Sequence, residues 1–273
     1  MAHATVNGVQ LFYDEQGEGE PLLIHHGYTG SHYNWDQVAP ILSRRWKVYR
    51  MDARGAGDSE RPESGHSIEQ YAADVIGMAD HIGLQRFTYI GHSMGGVIGY
   101  ELGLSYADRL DRLVLVAPAP ADGVVMPQSM RDRALLRRRE GDLATLIRES
   151  VALTARVTSE EAIAARVSRA QSVSDAHYHE SWDALVNYHK GDRLGEIGTA
   201  TLVVAGAADS LLRANLADFQ RLPNATLHVF SRVSHGIPYE IPEEFAAVIA
   251  DFLEHGVVTA ETLRAKLQQA VPA

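Results

Sequence analysis

Short apolar runs recur along this chain with helical patterns between them, and that alternation is the first guide to its fold. Near the N-terminus, apolar alternation surrounds Asn7-Gly8. Both residues of that dipeptide tolerate positive φ, so a tight antiparallel hairpin is expected, its second arm over 9–13. Runs at 22–24, 46–51 and 87–90 read as strands buried on both faces of a parallel sheet, where alternation is lost. Between the last two, Ile68, Tyr71, Ala72, Val75, Ile76, Ala79 and Ile82 form one apolar stripe at helical spacing. Ser67 and Gln70 at its start have the pattern of a capping box. A helix of small and apolar residues is expected at 95–106, and further strands at 113–117, 201–205 and 226–230. The rhythm predicts an α/β fold: a mostly parallel central sheet behind an N-terminal antiparallel hairpin, with helices on both faces.

The rhythm stops between 121 and 197, which reads as three or four helices without a strand. Thr158 with Glu161 suggests a second capping box, and Gly141 and Gly191 suggest helix stops. Residues 127–195 hold 11 Lys and Arg against 10 Asp and Glu, so this stretch carries +1 in a chain whose net charge is −10. A helical insertion between two strands of a parallel sheet sits over the carboxyl edge, where such folds bind ligands. It is therefore expected to be a lid. The division is then a core of 1–120 and 198–256, a lid of 121–197, and a tail of 257–273. Residues 259–270 form an amphipathic pattern with Leu263 and Leu267 on one side, open to docking on the body or on a second copy of the chain, which the lid could also meet in a homo-oligomer.

Composition narrows the chemistry. The 273 residues include 13 histidines and no cysteine, which excludes disulfides, thiol nucleophiles and Cys-ligated metal sites. The negative charge argues against nucleic acid or an anionic membrane as partner. The absence of a long apolar run or a basic, apolar leader argues for the cytoplasm.

Gly91-His92-Ser93-Met94-Gly95-Gly96 follows an expected strand and opens an expected helix. A sharp turn there forces its central residue into a strained conformation, and side chains two residues before or after it would collide with the flanking strand and helix. In that context Ser93 reads as a nucleophile.

With His26-Gly27 after one strand and Asp52-Ala53-Arg54-Gly55-Ala56-Gly57-Asp58-Ser59 after the next, the chain resembles the α/β-hydrolase superfamily, in its lid-bearing serine esterase, lactonase and cofactor-free haloperoxidase-like branch. The resemblance implies the chain order serine, acid, histidine. His235, in Ser234-His235-Gly236, then falls where the general base belongs. Asp209, after the penultimate strand, falls where the acid belongs, with Asp122 as the alternative used by some relatives. The resemblance also implies an oxyanion hole from the backbone N–H groups of Tyr28 and Met94. It gives no metal and no cofactor. The substrate it implies is a small ester or lactone, with carbon–carbon bond hydrolysis, perhydrolysis or a small-molecule receptor role as alternatives. Serine at the elbow disfavours the aspartate-nucleophile dehalogenases and epoxide hydrolases.

An apolar, partly aromatic pocket is expected from His32, Tyr33, Trp35, Trp182, Tyr188 and Ile237. His177-Tyr178-His179-Glu180 lacks the spacing of a helical zinc motif and reads as lid surface, and the arginines at 131, 133 and 137–139 read as a solvated face.

Overall fold

The computed structural model describes residues 2–156 and 159–270. Two strands, β1 (Ala2–Val6) and β2 (Val9–Gln16), form the hairpin about Asn7-Gly8, both of which take positive φ. They are followed by β3 (Pro21–His25), the short helix α1 (Ala39–Leu42), β4 (Lys47–Met51), α2 (Ile68–His81), β5 (Phe87–His92), α3 (Met94–Ser105) and β6 (Leu110–Val116). Four helices are then inserted: α4 (Gln128–Glu140), α5 (Leu143–Leu153), α6 (Glu160–Gln171) and α7 (Asp175–Val186). The chain closes with β7 (Thr201–Gly206), α8 (Leu212–Arg221), β8 (Ala225–Phe230), α9 (Ile237–Glu240), α10 (Pro242–His255) and α11 (Ala260–Ala270). The sheet has eight strands in the order β1-β2-β4-β3-β5-β6-β7-β8, with β2 antiparallel to both its neighbours, β1 and β4, and every other pair parallel. This is the architecture expected from the sequence, a mostly parallel sheet with an N-terminal antiparallel hairpin and an inserted run of helices.

The apolar runs lack alternation because both faces of the sheet are covered. Leu23, Leu113, Leu115 and Val203 pack on the side of α2 and α3. Their neighbours Leu22, Ile24, Val114, Val116, Leu202 and Val204 pack on the opposite side, against Trp35 and Phe245 of α10. Period-2 geometry thus divides each run between two cores.

Most helix ends follow from their sequences. Ser67 caps α2 by accepting from the Gln70 N–H, although the Gln70 side chain turns to Asp74 instead of closing the box. Gly141 ends α4 at a φ of 65°. Two expectations change. Thr158 lies outside the described residues, and the cap of α6 is Ser159, accepting from the Ala162 N–H. Gly191 ends no helix: α7 stops at Val186 with Asn187 as its cap, and Gly191 opens a 3-10 turn.

The insertion is tied to the core through buried polar contacts. His177 of α7 is buried, with its Nδ1 2.8 Å from the Tyr71 hydroxyl and 3.1 Å from the Arg54 carbonyl, so it is not lid surface. Arg131 stacks on Tyr178 and Trp182, and Arg138 stacks on Tyr178 and pairs with Asp175, so these two hold the insertion together, whereas Arg133 and Arg139 are exposed as the sequence suggests. Among the described residues, no helix is long and apolar enough to cross a membrane. Leu263 and Leu267 of α11 are exposed.

The turn after β4 is built around a buried carboxylate. Asp52 accepts from the His32 N–H (2.6 Å), the His32 ring (2.8 Å) and the Asp58 N–H (2.8 Å). Burial opposes its charge, but these bonds and the neighbouring histidines hold its carboxyl below the usual range. Asp52→Ala strips a buried donor set of its acceptor and should cost about 3 kcal/mol of stability, read by chemical denaturation. A loss below about 1 kcal/mol contradicts that role.

Candidate active site

β5 passes into α3 through Ser93, whose φ of 56° and ψ of −110° are unfavourable for an L-residue. Contacts on both sides fix it there. Its N–H donates to the Val116 carbonyl (2.9 Å), and its own carbonyl accepts from Gly96 (2.9 Å) and Ala119 (3.1 Å). The flanking glycines are steric necessities. A Cβ on Gly91 would lie 2.1 Å from the Gly95 carbonyl oxygen, and one on Gly95 would lie 2.8 Å from the carbonyls of His25 and His26. The turn can therefore press against both α3 and β3 only with hydrogen at these positions.

His235 stands on the loop between β8 and α9. Its Nδ1 is 2.7 Å from Oδ2 of Asp209, which follows β7. A carboxylate only accepts, so Nδ1 carries a proton, and the neutral tautomer this selects has its lone pair on Nε2. The other Asp209 oxygen accepts from the Leu211 N–H at 3.0 Å. Burial pushes the Asp209 carboxyl up, but the hydrogen bond and charge of His235 outweigh it and leave it below the usual range. Asp122 sits elsewhere, in a half-exposed pair with Arg221 at 2.7 Å.

His92 has a position that its sequence did not disclose. Its Nε2–H donates to the His235 carbonyl at 2.9 Å, bracing the His235 loop. Burial, aided by His235, pushes its pKa down to about 3, so it remains neutral.

Ser93 and His235 front one cavity of about 180 Å³. Tyr28 and Thr29 line it from the β3 loop, Ser150 from α5, Arg166, Val167 and Ala170 from α6, and Tyr239 from α9. Met94 is the first residue of α3. N–H groups in a first helical turn lack an intrahelical acceptor and lie at the positive end of the dipole. Tyr28 is anchored by its hydroxyl, which donates to the Tyr178 carbonyl.

The aromatic pocket expected from sequence is not assembled here. Trp35 is fully buried in the core against Phe245, and Ile237 is buried in the same cluster. Tyr188 is buried between insertion and core, its hydroxyl toward Glu101. His32 is spent on Asp52. Trp182 packs beside Tyr28 and lines a separate cavity, and Tyr33 lines one adjoining the Ser93 cavity. Ser150, Arg166, Val167 and Ala170 were missed, because nothing local shows which face of an inserted helix meets the sheet edge, and Tyr239 of α9 was missed as well. His32, Asp52 and Asp58 bring ligand atoms within 4.8 Å of one another. The Asp52 oxygens there are already committed to N–H donors, so a structural turn accounts for the cluster.

Gly27 sets the gap between the β3 loop and the elbow: a Cβ there would lie 2.9 Å from Ser93 Cβ and 3.1 Å from the His92 carbonyl. Gly27→Ala should therefore displace Ser93 and lower kcat/KM for a model ester by about 10- to 100-fold. Unchanged kinetics would show that the loop yields freely.

The model of a family described by its alpha/beta hydrolase fold matches residues 20–242. The chain is 28% identical over 270 residues to a 2-hydroxy-6-oxononadienedioate/2-hydroxy-6-oxononatrienedioate hydrolase of Dechloromonas aromatica, covering 90% of this chain and 91% of the relative. Among solved structures, Est816, described as an N-acyl homoserine lactone degrading enzyme, is 25% identical with a TM-score of 0.79, covering 92% of this chain and 99% of its own. The enol-lactonase of Burkholderia xenovorans LB400 shares the fold at 24% identity and a TM-score of 0.81, covering 93% and 100%.

Proposed function

The chain belongs to the α/β-hydrolase family, and from that premise we propose that it is a cofactor-independent serine hydrolase of carboxylic esters or lactones. The observation that carries the reading is the Asp209–His235 hydrogen bond at 2.7 Å beside a strained Ser93, with Ser93 and His235 in one cavity. Ser93 Oγ attacks the acyl carbonyl while His235 Nε2 takes its proton, and Asp209 stabilises the imidazolium. The N–H groups of Tyr28 and Met94 hold the oxyanion. His235 then protonates the departing alcohol, leaving an acyl group on Ser93. Water, deprotonated by the same histidine, releases the acid and restores the serine. The inserted helices serve as the lid that closes this cavity from above.

The likeness to Est816 supports the ester and lactone reading. The likeness to the dienedioate hydrolase, which extends over 90% of the chain, favours a second reading, carbon–carbon bond hydrolysis by the same three side chains.

The test is stoichiometric labelling by a fluorophosphonate, mapped by peptide mass, beside a panel of esters, lactones and dienone acids. Labelling at Ser93 with ester or lactone turnover is the expected result. Labelling elsewhere overturns the assignment of the nucleophile. Turnover confined to dienone acids moves the protein to the second reading. A ligand-dependent partner interaction that survives Ser93→Ala, without turnover, would instead indicate a receptor.

A further inference from the structure

A second cavity, of about 370 Å³, adjoins the Ser93 cavity and shares Asn34, Arg166 and Tyr239 with it. Arg166 and Arg169 lie three residues apart on α6, so both face this space. Each arginine is half-buried, with its guanidinium over a tyrosine: that of Arg166 lies 4.0 Å from the Tyr239 ring centroid and that of Arg169 lies 4.7 Å from that of Tyr33. Stacking uses the face of the guanidinium and leaves its edge donors available for a planar acceptor. Among the described residues, neither arginine has a carboxylate within ion-pair distance, whereas the acids of the same cavity are already committed. Asp36 pairs with Arg50, and Glu240 accepts from the Ser234 hydroxyl and the Arg156 N–H.

We propose that Arg166 and Arg169 form an anion subsite, so that the substrates of this hydrolase are esters or lactones bearing a carboxylate at the end remote from the scissile bond. The proposal rests on the serine-hydrolase reading above. The smaller cavity holds the reacting carbonyl at Ser93, and the larger one holds the rest of the chain with its carboxylate bidentate on guanidinium N–H groups. The charge distribution agrees with this. A chain of net charge −10 repels an anion at long range, yet the insertion that supplies both arginines is electropositive relative to its host.

The experiment compares a mono-p-nitrophenyl ester of glutaric acid with p-nitrophenyl pentanoate, a neutral ester of equal chain length. The wild-type protein should favour the anionic ester in kcat/KM, chiefly through KM. Arg166→Gln and Arg169→Gln should each reduce that preference by roughly 10- to 100-fold, and Arg166→Lys should retain part of it. A preference that is absent, or untouched by both glutamine variants, overturns the subsite. Binding of monomethyl glutarate to Ser93→Ala, followed by calorimetry, gives a readout independent of turnover. Binding that Arg166→Gln removes supports the subsite even if no ester is cleaved, and binding indifferent to Arg166 overturns it. Failure of the hydrolase reading appears separately, as loss of fluorophosphonate labelling at Ser93.

Discussion

Ser93→Gly is expected to give a protein more stable than the wild type and inactive toward esters. The residue sits at a φ of 56° and ψ of −110°, a conformation that costs an L-residue roughly 1–3 kcal/mol and glycine almost nothing. Glycine also makes the unfolded chain more flexible, which offsets about 0.5–1 kcal/mol of the gain. The net expectation is about 1 kcal/mol of added stability, or a Tm higher by about 2–4 °C for a chain of this size. Loss of the nucleophile should lower kcat by about 10⁴- to 10⁶-fold. Ser93→Ala removes the same oxygen but keeps the strain, so it should be equally inactive with an unchanged Tm. Thermal unfolding and ester assays on the two variants separate these effects. Residual activity within tenfold of the wild type in Ser93→Ala would refute the nucleophile. Equal Tm values for the glycine and alanine variants would refute the strain.

Asp209→Asn should be nearly as severe, at about 10⁴-fold in kcat, and the hydrogen bonds supply the reason. The Leu211 N–H at 3.0 Å requires an acceptor, so the asparagine oxygen stays at the Oδ1 position. Its NH₂ then faces Nδ1 of His235, where Oδ2 stood at 2.7 Å. Facing a donor, Nδ1 must accept, and the imidazole proton moves to Nε2. In that tautomer the base can no longer take a proton from Ser93. Asp122→Asn breaks only a half-exposed pair with Arg221, so it should leave turnover unchanged and cost at most about 1 kcal/mol. The reverse ranking of the two variants would move the acid to Asp122.

The same aspartate has a signature in acid. Its carboxyl is depressed in the folded protein relative to the ordinary 3.8. The stability it contributes is therefore fully present above that value, and is lost as the pH falls through the lower folded one. Asp209→Asn should remove this part of the acid limb, giving a Tm that declines less steeply below about pH 4. A limb as steep as the wild type's would assign the acid sensitivity to other carboxylates, Asp52 foremost.

The elbow was legible because its constraints are local. Gly91, Ser93 and Gly95 are confined to one strand-to-helix turn, and the clashes that require glycine there involve backbone a few residues away or on the adjoining strand. The strands were legible for a related reason. Burial on both faces writes an unbroken apolar run, and the structure shows those runs divided between two cores. The cap of α6 and the end of α7 were displaced, because Ser and Thr side by side cap equally well, and a glycine shortly past a helix looks like its stop.

The pocket is where sequence ran out. Trp35 and Tyr188 carry the composition of a binding site, yet large apolar side chains gain most by leaving water altogether, and both did so in the core. Arg166 carries the composition of a solvated helix face, yet it lines the cavity. By itself, the sequence determined the parallel sheet, the hairpin, the helical insertion and the elbow serine, since each depends on periodicity or on turn sterics within a few residues. The family resemblance put Asp209 ahead of Asp122, but only the tertiary structure brings it to His235, sets His92 against the His235 loop and places Arg166 of an inserted helix in the cavity of Ser93. Those contacts join residues 26 to 143 positions apart, and side-chain packing between separate elements fixes them, not any local pattern.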